Sequence, residues 1–146
     1  MSCDAMAPAE VAALTTRSVL KLGEGSFGAV HLVHRKGVAC ALKVGGRRAD
    51  AASFESEVKI TEALAGAGGA PLALAFCRES PAMLMSYRGR QDLVGFVSKR
   101  LLSPRECLGA ALLVAEALEA VHAKGVVHCD FKIDNVVVET SKKGAL

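Results

Sequence analysis

The stretch His128-Cys129-Asp130-Phe131-Lys132-Ile133-Asp134-Asn135 decides how the rest of the chain is read. It sets an acid, a lysine two residues on and an asparagine five residues on between two short apolar runs, Val126-Val127 and Val136-Val137-Val138. Apolar runs bracketing a polar loop predict strand, loop, strand. A loop held at both ends by buried strands is a rigid platform for reactive side chains. The residue types suit phosphoryl transfer: an acid to accept a hydroxyl proton, a cation to meet developing phosphate charge, and an amide oxygen for Mg²⁺. A polar surface loop with incidental charges would carry the same letters, so the reading depends on what lies upstream.

The eight residues resemble the catalytic loop of protein kinases, His-Arg-Asp-Leu-Lys-x-x-Asn. They depart from it at Cys129, where most of that family has arginine, and mildly at Phe131. Lys132 is similar to the serine/threonine kinases rather than the tyrosine kinases. The resemblance implies that Asp130 is the catalytic base, that Lys132 steadies the transferring phosphate and that Asn135 holds Mg²⁺. It implies ATP and Mg²⁺ as cofactors and a protein hydroxyl as acceptor. It also implies that activity does not depend on phosphorylation of an activation loop, because the arginine that reads that phosphate is replaced by Cys129.

Upstream, Gly23-Glu24-Gly25-Ser26-Phe27-Gly28 has Gly-x-Gly-x-x-Gly spacing. Glycine lets backbone N–H groups approach phosphate oxygens without a Cβ in the way. A dinucleotide-binding fold would open a helix at the third glycine. Here Val30 and Leu32, then Val38, Cys40, Leu42 and Val44, alternate around the turn Arg35-Lys36-Gly37, which predicts a β-hairpin. A glycine-rich turn followed by a hairpin resembles the kinase lid over ATP, formed by Gly23, Gly25, Gly28 and Val30. In Ala39-Cys40-Ala41-Leu42-Lys43-Val44, period two places Ala41 and Lys43 on one face. This run resembles the kinase Val-Ala-Ile-Lys strand. Val30 and Ala41 would then cover adenine and Lys43 would hold phosphates.

A helix is expected from about Ala51 to Ala65, stopped by Gly66-Ala67-Gly68-Gly69 and Pro71. Phe54, Val58 and Ala65 fall near one stripe, Ile60 and Leu64 near another, and Glu57 shares the side of the second. An acid beside an apolar face needs a partner. The resemblance supplies Lys43, making Glu57 the helix glutamate of the family's ion pair, with Glu55 and Glu62 left as solvated acids. Leu72 to Cys77 and Ala82 to Tyr87 read as two strands joined by Glu79-Ser80-Pro81. Aligning Asp92-Leu93 with the family's usual pair puts Met85 at the gatekeeper position and Ser86, Tyr87 and Arg88 in the hinge. Ser103-Pro104-Arg105-Glu106 has an N-cap serine, proline at N1 and glutamate at N3. The helix it opens is apolar on most sides as far as Gly125, a pattern suited to burial in a complete kinase domain, but without the elements that would cover it there it is expected to expose a large apolar patch.

The expected fold class is α+β and kinase-like: a small antiparallel β-sheet lobe with one helix, then the beginning of a helical lobe. Residues 1–17 are a leader, either loose or a short helix; 18–87 are the sheet lobe, 86–91 the hinge and 92–146 the start of the second lobe. The family's Asp-Phe-Gly motif comes after the last residue here, so the chain is read as an incomplete or truncated kinase domain. On its own it is expected to transfer phosphate poorly.

Composition bounds the alternatives. The 146 residues are 51% hydrophobic and 23% charged, which describes a globular chain. A net charge of +3 with scattered basic residues argues against a dedicated nucleic-acid binder. No apolar run approaches a membrane span, and Met1-Ser2-Cys3-Asp4-Ala5-Met6 lacks the features of a signal peptide. Five scattered cysteines read as free thiols in a reducing, intracellular compartment, cytoplasmic or nuclear. A serine/threonine protein kinase is the leading function. A nucleotide-binding pseudokinase and a small-molecule phosphotransferase are the alternatives.

Overall fold

The computed structural model describes residues 3–26, 28–47, 49–100 and 102–138. These fall into two compact units divided after Tyr87, with Ala67–Gly69 belonging to the second.

The first unit is a six-stranded sheet with a helix on each face. Its elements are β1 (Asp4–Ala5), α1 (Pro8–Thr16), β2 (Leu20–Gly25), β3 (Gly28–Arg35), β4 (Val38–Gly45), α2 (Ala51–Leu64), β5 (Ala73–Cys77) and β6 (Ala82–Ser86). The strand order is β1-β5-β6-β4-β3-β2. Every neighbouring pair is antiparallel except β1 with β5, which is parallel. The expected hairpin is β3–β4, in register from Gly28↔Gly45 to Arg35↔Val38. Its two-residue turn has positive φ at both Lys36 (51°) and Gly37 (78°), the pattern whose twist matches that of paired strands.

Alternation along the strands sorts the core into two layers. Val33, Cys40, Leu42, Ala75, Cys77, Ala82 and Leu84 face α1 and pack with Met6, Val11 and Leu14. Met83, with Phe76 and Met85 beside it, faces Phe54 and Val58 of α2. Residues 3–16 are therefore no loose leader. Met6, Val11 and Leu14 are core residues, and β1 extends the sheet.

Helix α2 starts where Asp50 accepts from the Ser53 amide (2.8 Å) and ends at Ala65, which is left-handed (φ 48°). Its buried stripe is Phe54, Val58 and Thr61. The apolar stripe read through Ile60 and Leu64 is corrected, since Ile60 is 49% exposed. Glu55 and Glu62 are not simply solvated either. Arg78 Nη1 lies 2.7 Å from Glu55, and Glu62 accepts the Cys3 amide.

In the second unit, α3 (Leu93–Lys99) is capped by Asp92, which accepts from the Gly95 amide, and it buries Phe96. Helix α4 (Pro104–His122) opens with the full capping box: Ser103 Oγ accepts the Glu106 amide, and Glu106 accepts the Ser103 amide. The apolar exposure expected of α4 in this chain is observed: Leu108, Leu112 and Leu113 are all exposed. None of its residues is buried, and Leu108 is 73% exposed. The 3₁₀ turn Ala67–Gly69 lies against it, so close that a Cβ on Gly68 would sit 2.2 Å from the Ala117 carbonyl oxygen.

The strands expected around residues 128–135 are also corrected. Val126-Val127 forms no strand and Val127 is 70% exposed. Val137 makes one isolated antiparallel bridge to Asp92. A strand needs a neighbour along its length, and among the described residues the pairing here is limited to Leu93 N–H to Val136 C=O (2.7 Å) and Val138 N–H to Gln91 C=O (2.8 Å).

Candidate active site

In the first unit, β2 and β3 bring Gly25 opposite Gly28, with Gly23 opposite Val30. The three glycines differ. Gly28 has φ 128°, and an added Cβ would meet the Val44 carbonyl oxygen at 2.0 Å. Around Gly23 and Gly25 a Cβ would meet nothing within 4 Å. Gly28 is therefore fixed by the sheet itself, whereas Gly23 and Gly25 leave open backbone of the kind a phosphate can approach.

Directly opposite residues of antiparallel strands share a face. Val30 pairs with Lys43 and Lys43 with Met83, while Ala41 pairs with Met85. This puts Val30, Ala41, Lys43 and Met85 on the α2 side of the sheet. Lys43 Nζ donates to both carboxylate oxygens of Glu57, each at 2.7 Å, the pair expected from the sequence. The Lys43 Nζ also lies 5.5 Å from the Phe54 ring centroid, a cation–π contact. Lys43 keeps 20% and Glu57 40% of its side chain exposed, so both charges remain solvated enough to meet a ligand. Ser86 ends β6 with its amide donating to Leu72 C=O (2.9 Å) and its hydroxyl accepting from Leu72 N–H (2.8 Å). Tyr87 is half-buried and closes this unit.

In the second unit, the loop after α4 turns sharply at Cys129, which has φ 60°. The Asp130 amide donates to the His128 carbonyl (2.8 Å), closing a three-residue turn around that cysteine. Non-glycine residues reach such backbone at a cost, commonly at functional loops. Ile133–Asn135 then forms a 3₁₀ turn. It returns Asn135 to Asp130: the amide Nδ2 donates to the Asp130 carbonyl (2.8 Å) and to its Oδ2 (3.1 Å). Lys132 Nζ lies 3.5 Å from the same Oδ2. Asp130, Lys132 and Asn135 thus form one exposed cluster. With Nδ2 committed to Asp130, the amide oxygen of Asn135 is the end left to meet a cation.

A cavity of about 410 Å³ lies elsewhere, between α1 and the β3–β4 turn, lined by Glu10, Arg17, Arg35 and Lys36 among others. It contains none of these site residues, and its Arg35 is already paired with Glu10 at 2.9 Å.

The order of parts along the chain matches a known family model, the protein kinase domain, over residues 17–146. The chain belongs to the protein kinase domain family. Among curated proteins it is 30% identical over 148 residues to the Rho-associated protein kinase let-502 of Caenorhabditis briggsae, covering 94% of this chain and 12% of that protein. It is 31% identical over 143 residues to the protein kinase C of Drosophila melanogaster, covering 90% of this chain and 19% of that one. The chain spans less than a fifth of the length of these relatives. Protein kinases generally use ATP and Mg²⁺.

Two features have no signal in the sequence. The left-handed backbone of Cys129 falls on a residue type with no preference for it. The anchoring of α2 through Glu55 and Glu62 joins residues far apart in the chain. Among the described residues, no cluster of three His, Cys, Asp or Glu side chains could hold a metal. A Mg²⁺ held by one or two protein oxygens together with nucleotide phosphates needs no such cluster, and the Asn135 oxygen fits that role. Among them, too, no helix is long and apolar enough to cross a membrane.

Proposed function

We propose that these residues form the ATP cradle and catalytic loop of a serine/threonine protein kinase, transferring the γ-phosphate of ATP to a protein hydroxyl. The observation that carries this reading is the two-pronged ion pair from Lys43 on β4 to Glu57 on α2. A lysine fixed in this way is presented as a point charge to the phosphates of a nucleotide. Val30, Ala41 and Met85 would contact adenine, and the backbone at Ser86 and Tyr87 would bond its edge. Gly23, Gly25 and Gly28 would bring amides to the phosphates.

Asp130 would accept the proton of the attacking hydroxyl, its orientation steadied by the Asn135 amide. Lys132, beside that carboxylate, would offset charge on the phosphate in flight. Asn135 would help to hold Mg²⁺ through its amide oxygen, and the ion would supply neutralisation of phosphate charge. Cys129 offers no cation to read a phosphorylated activation segment, so activity independent of that modification belongs to the same proposal.

The test is transfer of labelled γ-phosphate to serine- and tyrosine-containing peptides by the protein that carries this domain, against its Asp130→Ala variant. Loss of a positioned base should lower transfer to the serine peptide by about 10²–10⁴-fold while ATP binding persists. Transfer unaffected by Asp130→Ala would overturn the assignment, and ATP binding with no transfer would make the protein a pseudokinase.

A further inference from the structure

The strand β1 straddles the sheet. Asp4 and Met6 point toward the α1 layer, where Arg35 lies 3.6 Å from Asp4 and Met6 is in the core. Cys3 points the other way and packs against the Phe54, Val58 and Met83 cluster under α2. The segment is pinned by parallel pairing of Asp4 with Ala75 and Ala5 with Phe76, and by the Met6 amide donating to Phe76 C=O (2.8 Å). From this fixed edge the Cys3 amide donates to Glu62 Oε1 on α2 at 2.5 Å.

The three acids that anchor α2 are not on one side of it. Successive residues turn by about 100°, so Glu57 projects roughly 60° to one side of the buried Phe54–Val58–Thr61 stripe. Glu55 and Glu62 project roughly 80–100° to the other side. Lys43 holds the first flank; Arg78 and the Cys3 amide hold the second. Rolling α2 about its own axis to withdraw Glu57 from Lys43 must break the contacts on the opposite flank. Arg78 is 71% exposed and restrains weakly. The Cys3 amide sits one residue ahead of Asp4, which is paired into the sheet, so it is the stiffer anchor.

We propose that Cys3–Ala5 is a strap that sets the rotation of α2, and that Glu62 is thereby a positioning residue for the Lys43–Glu57 pair. The inference rests on the nucleotide-site reading above. It makes the segment ahead of the glycine turn part of the apparatus that readies the site, without touching a ligand.

The experiment measures Mg-ATP affinity of the full chain and of Lys43→Met, Glu62→Ala, Glu62→Gln, Glu57→Ala and Glu57→Ala/Glu62→Ala variants. Thermal midpoints are recorded beside each affinity. Glu62→Ala should weaken ATP binding by about three- to tenfold, the worth of one hydrogen bond to a charged acceptor. Glu62→Gln keeps an acceptor for the Cys3 amide and should restore most of the affinity. In the Glu57→Ala background Glu62→Ala should cost nothing further, because the strap acts only through Glu57. Wild-type affinity in Glu62→Ala alongside a clear loss in Lys43→Met would overturn the strap and leave the site reading intact. So would a Glu62→Ala loss of equal size with and without Glu57, or no rescue by glutamine. Absence of ATP binding, or binding unchanged by Lys43→Met, would overturn the site reading and the strap with it.

Discussion

Replacing Gly28 by alanine separates what the sheet demands of the glycine turn from what a nucleotide demands. At Gly28 the backbone has φ 128°, and the new methyl would lie 2.0 Å from the Val44 carbonyl oxygen on the paired strand. That distance is far inside contact, and the obstacle is backbone, which cannot swing aside. Holding an L-residue in this region costs about 1–3 kcal/mol. Relieving the clash means opening the Gly28↔Gly45 end of the β3–β4 ladder, at about 1 kcal/mol for a lost hydrogen bond. The sum is a loss of about 2–4 kcal/mol, a large share of a typical domain's stability of about 5–15 kcal/mol. Gly23→Ala and Gly25→Ala meet no atom within 4 Å and neither glycine has positive φ, so stability should move by no more than about 1 kcal/mol. Gly25→Ala should nevertheless weaken ATP binding, since its cost falls on the approach of phosphate. Urea unfolding followed by far-ultraviolet circular dichroism suits a chain with no tryptophan and one tyrosine. A wild-type midpoint for Gly28→Ala, or a large loss for Gly25→Ala, would refute the reasoning.

Three further outcomes are expected. Lys43→Met should cost at most about 1 kcal/mol of stability, because both partners of its ion pair are partly solvated, yet ATP affinity measured by calorimetry should fall by more than about tenfold. Met6→Ala should cost about 2–4 kcal/mol in the same urea assay, because Met6 is buried in the main core; a neutral result would mean that the segment before residue 17 is dispensable. The Ser103 backbone amide and hydroxyl hold the Glu106 carboxyl below its ordinary pKa. A group depressed in the folded state stabilises above its unfolded pKa, and that contribution fades as pH falls through the folded value. Glu106→Gln should therefore remove an acid-side loss of α4 helicity, read by circular dichroism between neutral pH and about pH 3.

What was legible in the sequence rests on residues within a few positions of one another. The capping box at Ser103-Pro104-Arg105-Glu106, the Lys36-Gly37 hairpin turn and the alternation around Lys43 each depend on backbone geometry set by the nearest neighbours. The family motifs are of the same kind, which is why their order along the chain pointed to a kinase domain before any contact was known. Periodicity failed where burial depends on what lies opposite. It marked Ile60 as part of an apolar stripe on α2, and Ile60 is exposed. It marked Val126-Val127 and Val136-Val137-Val138 as strands, but a strand exists only where a second chain segment completes its hydrogen bonds.

The sequence by itself determined the β3–β4 hairpin, the capped helix α4, the turn chemistry and the kinase-like order of glycine turn, strand lysine, helix acid and catalytic loop. Only the tertiary structure decided that residues 3–16 belong to the core, that β1 pairs parallel with β5, and that Glu55 and Glu62 have partners. The physical reason is distance along the chain. Cys3 and Glu62 are 59 positions apart, and no local propensity encodes a bond that exists only after the sheet has formed between them.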